Sequence, residues 1–429
     1  MPTPQSHTGM RFASAISSNP DTFAAGDEIV DALGQRLVGE VDLMMVYLTA
    51  DHREWLSSLY ARLQKVFSPR ILLGCTCGGV VGDSQELEAG PGISVLAASL
   101  PNARLEPFSY EQLDWPKALA SPDALRQSLN LADVDETSPG SGADADPKAI
   151  ILLADPFSTP LVKLLPAFND AFPGVPVVGG MASGAKRPKQ NRLLLNGTVL
   201  DEGAIGVAIA GDIAVQTTVS QGCRPVGKPL VITKARRHVV QELAGRNALE
   251  VVQEMAQELD ATDQELIETA GLLVGRVVNE YKSHFGRGDF LIRGLVGVDP
   301  KQGYIAIGDP QVRVGQTVQF HVRDQKTAAD DFAMLLEAQR LYGPGEGALL
   351  FTCASRGSNL FDEPNVDAAA VHAALGEVPM AGFFAAGEIG PLGEDSFVHG
   401  HTVSLLVFRH PEPAWQGKVP PLPERESTE

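Results

Sequence analysis

Residues 379–390 read PMAGFFAAGEIG, and two earlier stretches repeat their plan: ILLGCTCGG at residues 71–79 and PVVGGMASG at 176–184. In each, an apolar run meets a glycine, and a second glycine follows after four residues, giving the pairs Gly74/Gly79, Gly179/Gly184 and Gly382/Gly387. Upstream of each lies an apolar run of strand length: LMMVYLT at 43–49, IILLA at 150–154 and ALLFTC at 348–353. A segment able to form a helix joins each run to its glycine stretch, and a further strand-like run follows at 93–98, 204–210 and 402–408. A unit of strand, helix, strand, glycine turn and strand, used three times, sets the architecture before any single residue does. A strand–helix–strand segment with a short return predicts a parallel pair and a right-handed crossover. The expected fold class is α/β: two packed domains with mixed, largely parallel sheets built from these repeated units. A strand that stops at a glycine leaves main-chain N–H groups free and admits a ligand closely, because no Cβ intervenes.

Composition narrows the function classes. The 429 residues are 44% hydrophobic, with 43 glycines and a formal charge of −19. Such a chain repels nucleic acid and anionic membrane surfaces. No apolar run approaches the ~20 residues that span a bilayer. The N-terminus MPTPQSHTGMRFASAI has no basic segment leading into an apolar one, so no signal peptide is expected. Four cysteines in so long a chain suit a reducing compartment, and a cytoplasmic protein is the expectation.

Along the chain, Ile29, Leu33 and Leu37 predict an amphipathic helix over residues 21–39, with Asp21 as its cap. Trp55, Leu59, Leu63 and Phe67 predict another over 51–67. Residues 192–199 and 204–210 read as a hairpin turning at 201–203. Residues 133–148, DVDETSPGSGADADPK, read as a disordered acidic loop, and the glycine- and proline-bearing 220–228 as a hinge. The expected division is a first domain over 12–225, a second over 226–410, and a disordered tail over 411–429.

Each candidate group has a functional and a structural reading. The glycine stretches, with Cys75, Thr76, Gly179, Gly180 and Gly387, suit a cradle of N–H groups around an anion, or three turns packed on one another. They lack the Lys-Ser/Thr of a phosphate loop. Cys353 ends an apolar strand, and Arg356 three residues on suits a carboxylate. Glu388 stands in an apolar turn and needs a cationic partner. With Arg356 and Arg224 it supplies both signs for an amino-acid zwitterion, or else it forms a structural ion pair with Arg356. His399 and His401 suit an axial haem ligand or a metal site, although lone histidines mostly satisfy local hydrogen bonds.

The order of these pieces resembles the FIST family, in which N-terminal and C-terminal FIST domains lie in tandem. The matching segments are LLGCTCGGVVGD, PVVGGMASG, GAIGVAIAG, SQGCRPVGKPLVITKA, FLIRGLVGVD, GALLFTCASRG and GFFAAGEIGPLG followed by FVHGHTVSLLVF, spanning residues 43–408. The resemblance implies a small-ligand sensory module of signal transduction. Family members are fused to, or encoded beside, histidine kinases, cyclases and methyl-accepting receptors, and eukaryotic relatives include F-box proteins. Amino-acid-like ligands are suggested for the family, and some bacterial members resemble haem-containing nitric oxide sensors. This chain carries no kinase or cyclase segment, so its output goes through a partner protein such as one of these.

The resulting expectation is a non-enzymatic sensor without a resident cofactor. It binds a small metabolite at the domain interface, in a pocket lined by Cys75, Gly180, Arg224, Arg356 and Glu388. The alternatives are a haem-based gas sensor, a protein-interaction scaffold, and an enzyme with Cys353 as nucleophile. The last requires a histidine within hydrogen-bond reach of the sulfur.

Overall fold

A computed structural model describes residues 9–37, 39–111, 113–131 and 146–411. Most of the acidic loop expected at 133–148, and the tail beyond 411, lie outside these residues.

The three apolar runs are strands, Leu43–Thr49, Ala149–Ala154 and Gly347–Cys353, and each is buried along its whole length. Strands covered on both faces need no polar alternation, which is why these runs are uniformly apolar. Each pairs in parallel with the strand of its glycine stretch: Ile71–Cys77, Val177–Met181 and Met380–Ala385. The crossovers are the helices Leu56–Phe67, Leu161–Ala171 and Val366–Leu375. A return strand, Ile93–Ser99, Ala204–Gly211 or Val403–Arg409, pairs antiparallel on the other side. An outer strand, Arg11–Ser17, Ala103–Ser109 or Ala214–Ser220, then pairs with the return strand.

The mixed α/β class and the threefold repeat are as expected. The sheets are not largely parallel: the three pairs named are the parallel ones among the described strands, and the other pairings are antiparallel. Return strands and hairpins need only tight turns, whereas each parallel pair needs a whole helix to cross over. The expected hairpin at 192–210 is also different. Leu193–Leu195 pairs with Thr198–Leu200 around Asn196 and Gly197, which have φ of 46° and 88°. That Asn-Gly is the strongest short hairpin signal, and it releases Ala204–Gly211 to pair with Ala149–Ala154.

No strand stops at the first glycine of a pair. The strands run through Gly74, Gly179 and Gly382, which face Val46, Leu152 and Leu350 in register. A Cβ there would lie 1.9, 1.9 and 1.7 Å from the facing carbonyl oxygen. The recurring glycine is therefore demanded by backbone packing inside each sheet.

Each unit also gives a hairpin to another unit. Val80–Gly82 of the first, with Gln85–Leu87, extends the third unit's sheet at Met380–Ala385. Leu193–Leu195 of the second extends the first unit's sheet at Ile71–Cys77. Glu388–Leu392 of the third, with Asp395–His399, extends the second unit's sheet at Val177–Met181. The exchange closes a ring of three six-stranded sheets. At its centre the rings of Tyr47, Phe351 and Phe383 pack on one another at 5.0–6.1 Å.

The third unit is interrupted. Its outer strand ends at Ser220 and its first helix, Gln325–Gln339, begins 105 residues later. Between them a seven-stranded sheet runs from Arg224–Arg236 to Thr317–Val322, with helices Ala248–Glu258 and Ala261–Ala270 and a core of its own. Its first and last strands pair at Arg224 and Val322, so entrance and exit leave the ring together. Residues 214–220, before the hinge, thus share a sheet with 403–409, after the insertion.

Candidate functional site

The three glycine turns converge and bond to one another. Gly78 N donates to Ser183 Oγ (2.9 Å), whose hydroxyl donates to Phe384 O. Phe384 N donates to Gly79 O (3.0 Å), Met181 N to Gly387 O (2.8 Å) and Gly184 N to Thr76 O (3.3 Å). Thr76 Oγ1 accepts from Arg192 N at 2.9 Å. A Cβ on Gly180 would lie 2.9 Å from Ala385 Cβ, and one on Gly387 2.2 Å from Met181 Cε. Cys75 is fully buried beside Tyr47 in the core that all three units share, and burial pushes its thiol far up. These residues lock the ring together through their own backbone.

Arg224 lies elsewhere, at the entrance to the insertion. It pairs with Asp263 and, at 3.3 Å, with Asp324, the cap of helix Gln325–Gln339. Its hydrogen bond to Asp263 raises its pKa. Arg356 does not pair with Glu388 either. It is fully buried and grips Asp367 with two bonds of 2.7 Å, from Nε and Nη2. Asp367 stands in the first turn of helix Val366–Leu375 and also accepts from Thr352 Oγ1 at 2.7 Å. A carboxylate at a helix N-terminus with three donors outcompetes one on a strand, because the dipole and the fork geometry add. Burial pulls the guanidinium's pKa down, but Asp367 outweighs it.

A second group gathers around Cys353, where the third unit's first parallel strand ends. Its sulfur accepts from Ser355 Oγ (3.2 Å) and from the main-chain N–H of His401 (3.3 Å). Glu388 is fully buried, and its Oε2 accepts from the main-chain N–H of Thr402, the residue after His401, at 3.1 Å. Burial raises the Glu388 carboxyl to about 8, and burial together with Glu388 raises the thiol to about 11. No imidazole nitrogen bonds the sulfur among the described residues. The His401 ring instead meets Ser355 Oγ through Nδ1 at 3.0 Å, and burial lowers it to about 4. Arg323, from the exit of the insertion, donates to Ser355 Oγ and O at 3.1 and 3.0 Å.

Three atoms in this neighbourhood have no partner among the described residues: Arg323 Nε, Arg356 Nη1 and Glu388 Oε1. Buried polar atoms are nearly always bonded, so three together mark a place with unused recognition capacity. Next to it, Gly222 adopts φ 60°, and a Cβ there would lie 2.8 Å from Arg356 Nη1. On the far side of residues 221–223 a recess of about 150 Å³ opens between the inserted sheet and helix Gln325–Gln339. Phe290, Ile292, Met334 and Leu335 form its apolar wall, and Gln221, Arg287, His321 and Asp331 its polar one. Arg287 and Asp331 approach only to 3.5 Å. Sequence reasoning missed this recess, because its walls lie far apart in the chain and carry no shared motif.

His399 is buried with Nε2 2.9 Å from Gly390 O, and burial lowers its pKa to about 4. Among the described residues no group of three His, Cys, Asp or Glu could hold a metal ion, all four cysteines are free, and no helix is long and apolar enough to cross a membrane.

The family model of the FIST N domain matches residues 42–246, and that of the FIST C domain matches 248–391, in tandem. An uncharacterized protein of Mycobacterium tuberculosis (strain CDC 1551 / Oshkosh) is 38% identical over 402 residues, covering 93% of this chain and 100% of the relative. One of Mycobacterium bovis (strain ATCC BAA-935 / AF2122/97) is 35% identical over 410 residues, covering 93% and 99%. A cyanuric acid hydrolase structure from A. caulinodans covers 94% of this chain and 100% of its own at 7% identity, with a TM-score of 0.37, too low to bear on fold or activity.

Proposed function

The chain belongs to the FIST family, whose domains are small-ligand sensory domains of signal transduction, and we propose that it takes its ligand in the recess between the inserted sheet and the third unit. The observation that carries this reading is the position of the recess. It lies at a seam between two separately cored parts, where ligand sites concentrate, and its walls come from both. The size suits a molecule of amino-acid scale. Arg287 and Asp331, loosely paired, offer opposite charges to a zwitterion, and Phe290 and Met334 face its apolar part. Asp331 also accepts from Ser220 Oγ at 2.6 Å and from Gly222 N at 3.5 Å. A ligand that draws on Asp331 therefore acts on the segment leading into the insertion and on Gly222 against Arg356. The seam is the element whose equilibrium the ligand biases, and a partner protein, in the cytoplasm, reads the result.

The test is thermal unfolding of the full chain with amino acids, small carboxylates and haem. A ligand that binds only the folded state stabilises it by about 2.7 kcal/mol at one hundred times its Kd. A shift with one class of ligand, abolished by Met334→Trp and by Arg287→Ala, supports the recess. A shift that survives both variants removes it. A Soret band with haem moves the reading to a haem sensor.

A further inference from the structure

We infer that the recess selects small amino acids whose side chain carries an uncharged hydrogen-bond donor, a hydroxyl or a carboxamide, and that His321 and Gln221 recognise that donor. The inference rests on the recess being the ligand site. Two main-chain carbonyls carry it, because each fixes which end of a side chain is left over. His321 Nδ1 lies 3.0 Å from Gln319 O. A carbonyl oxygen only accepts, so Nδ1 holds the proton and Nε2 of the neutral ring is an acceptor. Burial lowers the ring's pKa to about 4, so it is neutral at pH 7. Gln221 Nε2 donates to Phe290 O at 2.7 Å, which leaves its Oε1 as an acceptor. Neither His321 Nε2 nor Gln221 Oε1 bonds anything among the described residues, and both side chains line the recess. His321 is 3% exposed and Gln221 9%, so little but the recess is open to them. The imidazole is wedged in place: a Cβ on Gly275 would lie 2.5 Å from its Cε1, and the Phe290 ring packs on it at 5.0 Å.

An amino acid seated with its carboxylate at Arg287 and its ammonium at Asp331 presents its side chain to the rest of the polar wall. The side-chain groups that remain there are the two acceptors. An anionic side chain would meet their lone pairs. A cationic one would be enclosed without a counter-charge, since Asp331 is the one carboxylate lining the recess among the described residues. An apolar one would strip both acceptors of water and leave them unpaired, the penalty by which a polar site rejects a ligand lacking the matching donor. A hydroxyl or a carboxamide N–H satisfies them. The volume of about 150 Å³ limits the side chain to this scale, since a cavity of about that size is filled by benzene alone.

Calorimetric titration of the full-length chain compares two nearly isosteric pairs, threonine with valine and asparagine with leucine. The donor-bearing member is expected to bind about tenfold or more tightly than its apolar twin, and such a preference in either pair supports the inference. In the double variant His321→Asn/Gln221→Leu the members of each pair are expected to come within about twofold of each other, since both acceptors are gone. Asparagine at 321 keeps an amide nitrogen for Gln319 O while removing Nε2. Equal binding within both pairs in the wild type overturns the inference, as does a preference that the folded double variant retains. Should that variant not fold, the wild-type ratios decide alone. The recess is judged separately. Equal binding of all four that Arg287→Ala and Met334→Trp abolish keeps the recess and removes only the selectivity. A preference that survives both of those variants removes the recess and this inference with it. If none of the four binds, the inference falls, and the recess is left to the small carboxylates and haem of the wider panel.

Discussion

The second and third units place a buried carboxylate beside the end of the same strand, and the two are treated in opposite ways. In the second unit Asp155 follows Ala149–Ala154, and both its oxygens are bonded: to Asn191 Nδ2 at 2.9 Å, and to Phe157 N and Ser158 Oγ at 3.1 and 2.6 Å. In the third unit Glu388 is fully buried, with Oε2 accepting from Thr402 N at 3.1 Å and Oε1 without a partner among the described residues, and its charge acts on Cys353 at the end of Gly347–Cys353. The second unit's loops are local and can supply donors. The third unit is opened by the insertion, whose exit brings in Arg323 rather than a matched set of donors. One repeat left an oxygen of its buried carboxylate unmatched where another bonded both, and such places are where function is found.

The largest expected effect tests whether the third unit's buried ion pair supports the unmatched group beside it. Arg356→Ala leaves Asp367, 1% exposed, without its partner, and a loss of about 3–5 kcal/mol in urea unfolding is expected. The double variant Arg356→Met/Asp367→Leu should recover most of that loss. If the single variant is nearly neutral, the pair is not what holds this end of the unit.

The next effect separates the two carboxylates directly. Glu388 titrates near 8 in the fold and near 4.5 when unfolded. Between those values the folded chain holds a proton that the unfolded chain has released, so stability is fully present below about 4.5 and falls as pH rises through 8. In Glu388→Gln that decline is expected to vanish, leaving the variant equal to wild type at pH 5 in melting temperature and above it at pH 9. Asp155→Asn is expected to lower stability at both pH values, since it weakens charge-assisted bonds. Parallel pH curves for Glu388→Gln and wild type would erase the distinction.

The ring geometry predicts equal treatment where the units are equivalent. Gly74→Ala, Gly179→Ala and Gly382→Ala each drive a methyl group against a carbonyl and should each cost about 1–3 kcal/mol. One cheap substitution among the three would show that the units do not share this approach.

The smallest effect concerns the clamp that the first unit lays on the third. Glu88 accepts from Ser358 N and Oγ at 2.7 and 2.6 Å, beside Arg356. Glu88→Ala should cost about 1 kcal/mol and quicken hydrogen exchange at Ser358 without changing it at Asp155.

Much of the ring was legible in the residues. Uniformly apolar runs announced buried strands, and the spacing of Ile29 and Leu33 announced helix Thr22–Arg36, with Asp21 capping it by bonds to Phe23 N and Ala24 N. The candidate site was legible only in part. Cys353 and Glu388, both candidates from the sequence, reach neighbouring main-chain N–H groups, those of His401 and Thr402. Arg224 was grouped with them from its charge alone, yet it faces Asp263 in the insertion. Ser355, Arg323 and the recess carried no local signal, since each matters only through what folds against it.

The sequence by itself determined the periodic features: three strand–helix–strand units, their glycines and their buried runs. These follow from side-chain pattern over ten or so residues, where steric and hydrophobic preferences act locally. Only the tertiary structure decided which partner each unsatisfied group would find. Arg356 turned to Asp367 rather than Glu388, and hairpins joined the sheets of other units, as when Glu86 N reaches Asn365 Oδ1 at 2.7 Å across 279 residues. A strand edge or a guanidinium accepts any partner of the right chemistry. The choice is made by which one the packed chain leaves within reach.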